Sequence, residues 1–72
     1  MSFDPNIHDH TTDEMEFTAL LVDETDLAYC VDIEGHVFWV GRSISRIEPK
    51  DHETGDIVTI TIPEWLVRRE NL

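Results

Sequence analysis

Seventy-two residues carrying sixteen Asp or Glu against five Lys or Arg, a net charge of −11, make one small acidic domain with no room for a second. The balance opposes direct binding to a phosphate backbone, which needs cations to displace counterions, and it opposes an anionic membrane surface. A single cysteine, Cys30, excludes an internal disulfide and fits a reducing compartment.

The first 14 residues read as a flexible acidic tail, since Pro5, Asn6, Thr11 and Thr12 break any period and apolar content is low. Met1-Ser2-Phe3-Asp4-Pro5 has neither the basic nor the apolar region of a signal peptide. No apolar run approaches the roughly 20 residues of a membrane span, and the expected location is intracellular. His8-Asp9-His10 has the residue types of a zinc, nickel or copper site. It lacks a third ligand placed by a fold, so no metal and no cofactor is expected.

Residues 15–72 are expected to form the domain. Met15 to Asp23 alternates as a first strand, with Met15, Phe17, Ala19 and Leu21 on one face. Glu24-Thr25-Asp26 is a tight acidic connection to a second strand, Leu27 to Ile33. Glu34-Gly35 is the next hairpin turn, where glycine supplies a positive φ. His36 to Val40 is the third strand, with Phe38 and Val40 opposite Val37 and Trp39. Ile44 and Ile47, three apart, suggest one helical turn, and residues 48–55 are a polar loop. Asp56 to Ile62 alternates as a fourth strand. Pro63 and Glu64 open a short helix whose apolar stripe is Trp65, Leu66, Arg69 and Leu72. The expected fold is mainly β: a four-stranded antiparallel curled sheet or partly open barrel, SH3-like or OB-like, with a short C-terminal helix. Trp39 and Trp65 are expected in its core.

Two segments, Phe38-Trp39-Val40-Gly41-Arg42-Ser43 and Thr59-Ile60-Thr61-Ile62-Pro63-Glu64-Trp65-Leu66, carry a resemblance. The chain from about residue 16 onward resembles small acidic phage and prophage proteins. In these a β-meander leads to Trp-aliphatic-Pro-basic-Ser, and a later strand ends in aliphatic-Pro-x-Trp-Leu. Gly41 stands where that pattern has proline. The resemblance implies a mobile-element origin and a compact β domain of accessory function, some such proteins being inhibitors of host defence.

No pair of residues marks catalysis. Cys30 lies mid-strand, away from any helix N-terminus that would lower its pKa, and Ser43 and Ser45 lack a nucleophile's setting. The chain therefore reads as a non-enzymatic protein-binding module for a basic host protein. Its candidate surface is the acidic row Asp13, Glu14, Glu16, Asp23, Glu24, Asp26, Asp32 and Glu34, which could imitate the charge of nucleic acid. A secondary contact patch is Trp39, Arg42 and Arg46, with Lys50 completing the basic cluster. The alternatives are assembly through a homodimer, and single-stranded nucleic-acid binding on Tyr29, Phe38 and Trp39, which the charge opposes.

Overall fold

The computed structural model describes residues 13–72. Among them, five strands form one antiparallel sheet: β1 (Glu14–Glu24), β2 (Ala28–Ile33), β3 (His36–Gly41), β4 (Arg46–Glu48) and β5 (Ile57–Pro63). Their spatial order is β3-β2-β1-β5-β4. A 3-10 turn (Arg42–Ile44) joins β3 to β4, and helix α1 (Glu64–Arg69) follows β5. The small β sheet with a C-terminal helix is as expected, with five strands in place of four. The added strand is β4, whose Ile47 had been assigned to a helical turn. The N-terminal boundary also moves, because β1 begins at Glu14 rather than after it.

Curling of the sheet follows from chain length. β3 and β4 are the two edges, and a flat sheet would hold them about 19 Å apart, four spacings of about 4.8 Å. The four residues between Gly41 and Arg46, wound partly as a 3-10 turn, cannot span that distance. The edges must approach, which bends the sheet around one face. No ladder joins β3 to β4 among the described residues, so the barrel is partly open.

The meander turns have local causes. Glu34 and Gly35 both adopt positive φ (53° and 91°), the pairing that suits a two-residue hairpin, and Asp32 Oδ1 accepts the Gly35 N–H at 2.7 Å. At the other end Thr25 organises the β1–β2 connection. Its Oγ1 accepts the N–H groups of Leu27 (3.2 Å) and Ala28 (3.1 Å), while its own N–H donates to Ala28 O at 2.8 Å. Leu27 therefore belongs to the loop, where it is exposed, and not to β2.

The concave face holds the core. Ala19 and Leu21 of β1, Tyr29, Val31 and Ile33 of β2, and Phe38 and Val40 of β3 meet Ile47, Val58, Ile60 and Ile62. Helix α1 closes one end with Leu66 and Val67. Pro63 ends β5 at φ −67°, a value its ring dictates, and the next N–H, of Glu64, donates to Asp13 O at 3.0 Å. Asn71 in the left-handed region (φ 60°) ends the helix. The N–H of Leu72 returns to Val67 O and that of Asn71 to Arg68 O, a Schellman closure.

Both tryptophans depart from expectation: Trp39 is 50% exposed and Trp65 49%. Trp39 has the parity of the convex face. Trp65 is displaced because a six-residue helix meets the sheet through one turn, and that turn presents Leu66 and Val67. Trp65 instead lies under Arg69, whose guanidinium carbon is 5.5 Å from the ring centroid.

Two isoleucines of β5 separate core from surface. Ile60 is fully buried, and Ile60→Ala should cost about 2–5 kcal/mol, a large part of a small domain's stability. Ile57→Ala, on the opposite face and 65% exposed, should change stability by about 0.5 kcal/mol or less. Urea unfolding followed by circular dichroism measures both.

Candidate protein-binding surface

Side chains on the convex face can be read from the strand register. One row crosses four strands, Val37–Asp32–Leu20–Ile57, each residue paired with the next. A second row is Trp39–Cys30–Asp23. Val37, Trp39 and Ile57 are at least half exposed, and Val22 adds a further apolar side chain. No element among the described residues covers these positions. Exposed apolar side chains and carboxylates are thus interspersed on this face, with Asp32 beside Val37, Asp23 in the row of Trp39, and Glu16 toward the other end of β1. Seven residues of strand separate Glu16 from Asp23, about 23 Å at 3.3 Å per residue.

The bulge in β1 decides which acids belong to this surface. Leu21 pairs with Val31 but Asp23 pairs with Cys30, so Val22 is an inserted residue. The insertion reverses the parity beyond it, and Glu24 pairs with Tyr29 on the concave side. There Glu24 Oε1 accepts from Arg42 Nη2 at 3.1 Å and faces His52 Nε2 at 3.3 Å. Arg42 also donates from Nε to Thr25 O at 2.8 Å and stacks over Tyr29, 4.6 Å from the centroid. His52 meets the same ring edge-on at 5.8 Å and donates from Nδ1 to Pro49 O at 2.9 Å. Glu24, expected in the acidic row, is therefore paired with Arg42 and His52 in a partly exposed cluster on the concave side.

Glu14 is also neutralised from within. Arg46 holds both its oxygens, at 2.8 and 3.3 Å. The Arg46 guanidinium is held protonated above its ordinary range, first by that hydrogen bond and then by the charges of Glu14, Glu48 and Glu16. Of the eight expected acidic residues, Asp13, Glu16, Asp23, Asp26, Asp32 and Glu34 have no cation partner among the described residues. They do not form one continuous row. Asp23 and Asp26 mark one end of the meander, with Asp13, Glu16 and Glu34 toward the other.

The secondary patch is divided as well. Trp39 is exposed on the convex face of β3, whereas Arg42 turns inward over Tyr29 and Arg46 reaches Glu14. The basic residues do meet each other. Arg42, Arg46 and Lys50 line an open groove of about 320 Å³ with Tyr29 and His52. The three aromatics considered for base stacking do not share a surface: Tyr29 and Phe38 are buried on the concave side, and Trp39 faces out.

His8 and His10 lie outside the described residues; among the described residues no three His, Cys, Asp or Glu side chains are grouped to hold a metal ion. No helix among them is long and apolar enough to cross a membrane. The described residues thus form a small curled β-sheet domain, one face of which bears exposed apolar side chains and carboxylates and is covered by no described element. No family model, curated protein or solved structure matches it significantly.

Cys30 reports on this face. It is only 6% exposed although its neighbours are open, and burial, followed by the nearby charge of Asp23, raises its thiol pKa. Trp39 is its cross-strand partner in a non-hydrogen-bonded pair, where side chains approach closely. The thiol should therefore react slowly with a disulfide reagent at pH 8 in the folded protein. Trp39→Ala should speed the reaction severalfold without changing the rate in urea; equal folded-state rates would show that Trp39 does not cover it.

Proposed function

We propose that the chain is a non-enzymatic protein-binding module whose partner is a basic protein. The observation that carries this reading is the convex face, covered by no described element, where Val37, Trp39 and Ile57 lie among Glu16, Asp23 and Asp32. Exposed aromatic and aliphatic side chains supply the contact that anchors an interface. The surrounding carboxylates select a positively charged partner and steer its approach. A net charge of −11 adds long-range attraction to the same end.

The more specific form of the proposal is an accessory protein of a phage or mobile element, acting in a bacterial cytoplasm. Such a protein could inhibit a host defence or nucleic-acid-handling protein by occupying its basic groove. Support for the origin comes from the resemblance of the Trp39 and Trp65 segments. Support for the groove comes from the carboxylates without internal partners. A second reading, assembly of identical chains, is favoured by the same exposed apolar positions but opposed by the charge that two copies would bring together.

The proposal is tested by retrieving partners from a bacterial lysate on the immobilised protein, with washes at low and then high salt. A basic protein released by salt is expected. Asp23→Asn and Asp26→Asn should each weaken its binding, on the order of 0.5–1 kcal/mol for exposed charges. Glu24→Gln should leave affinity nearly unchanged and lower stability instead, because it uncouples Arg42 and His52. Unaltered affinity in the Asp23/Asp26 double variant would remove charge from the recognition.

A further inference from the structure

The convex face ends at an open strand edge. β3 pairs with β2 on one side, and no described residue pairs with its other side. The direction of its backbone groups follows from the ladder. Arg42 N–H donates to Leu27 O, which makes Arg42 and Leu27 a hydrogen-bonded pair. Alternation then turns Val40, Phe38 and His36 toward β2, and Gly41, Trp39 and Val37 away from it. Consistent with this, Gly41 O accepts the Ser45 hydroxyl at 2.8 Å from the side opposite β2. The N–H and C=O groups of Val37 and Trp39 have no hydrogen-bond partner among the described residues. Their side chains are the exposed apolar ones of the convex face.

The two edges of the sheet differ in how they are protected. β4 is three residues long and carries Arg46 and Glu48 around its single apolar residue, with Pro49 directly after it. Short length, charge and proline are the devices that keep an edge from pairing. β3 has none of them. Its six residues, His-Val-Phe-Trp-Val-Gly, contain no Lys, Asp, Glu or proline and no bulge.

We infer that the free edge of β3 is a strand-addition site for an extended segment of a basic protein. The inference rests on the protein-binding reading above and adds to it the mode of contact. An incoming strand would exchange backbone hydrogen bonds with Val37 and Trp39, and its alternate side chains would lie beside theirs on the convex face. Those central side chains must be apolar. The ends of the strand would meet carboxylates: Asp32 and Glu34 near Val37, and Asp23 and Asp26 near the far end of β3. Lys or Arg at both ends of the segment matches that distribution. A second copy of the chain fits the edge less well, since its β3 brings the same carboxylates with it.

The test uses the full chain and a synthetic peptide with lysines at both ends of a Thr-Val-Thr-Val-Thr centre. Amide exchange measured by NMR should slow at Val37 and Trp39 when the peptide is added. The same peptide N-methylated at every central amide keeps its charge and side chains but cannot pair. It should bind roughly tenfold or more weakly and give no protection, because the backbone hydrogen bonds are lost. Equal binding by the two peptides, protection confined to other strands, or no binding of the unmethylated peptide overturns the proposal. A third peptide with serine replacing lysine separates the two readings. If it protects β3 equally well at low salt, strand addition stands and the basic partner does not. Slowing of the same amides on concentrating the protein alone assigns the edge to a second copy and overturns the proposal.

Discussion

Everything in this domain depends on β1 pairing along both of its sides. Eleven residues long, it holds β5 over the first part of its length and β2 over the last. Those two ladders join the N-terminal meander to the C-terminal strand and place Leu21 and Ala19 opposite Val31 and Val58. A chain of this size has little apolar surface to bury, about 60% of its total by the scaling of small domains. Wrapping the sheet around one face, with Leu66 and Val67 closing its end, is how that limited area becomes a core with several fully buried side chains.

The same wrapping accounts for what remains outside. A curled sheet has one face that packs on itself and one that nothing covers, unless a helix or second sheet is supplied. The only helix among the described residues, six residues long, is used at the end of the concave face. Val37, Trp39 and Ile57 therefore stay on the surface as a consequence of topology. Singly they would call for no explanation, but Val37 and Trp39 lie on an edge strand whose outward backbone groups have no partner among the described residues. Apolar side chains, an unprotected edge and flanking carboxylates converge on one side of the molecule.

Charge is partitioned by geometry more than by composition. The bulge at Val22 sends Glu24 inward, and Arg42 and His52 meet it over the Tyr29 ring. Arg46 crosses from β4 to Glu14. These pairs tie the two ends of the open barrel to its central strand, although each exposed contact contributes only modestly. They also take two of the carboxylates out of the surface field and leave the others at the margins of the apolar face.

Much of this was legible in the sequence. Apolar alternation, or a short apolar run bounded by turn residues, marked four strands in residues 15–23, 27–33, 36–40 and 56–62. Glu34-Gly35 marked its turn, since only residues tolerant of positive φ fit a two-residue hairpin. The acidic composition underlies the proposal of a basic partner. β4 was not legible, for Arg46-Ile47-Glu48 holds a single apolar residue and its strand conformation comes from β5 alone. Nor were the exposure of the tryptophans and the inward turn of Glu24. An indole suits core and surface equally, so its fate depends on which face the fold leaves uncovered. An inserted residue reverses every side chain beyond it without leaving a mark in the pattern. Local periodicity determined four of the strands; only the packing of one strand against another decided which of their faces stays exposed.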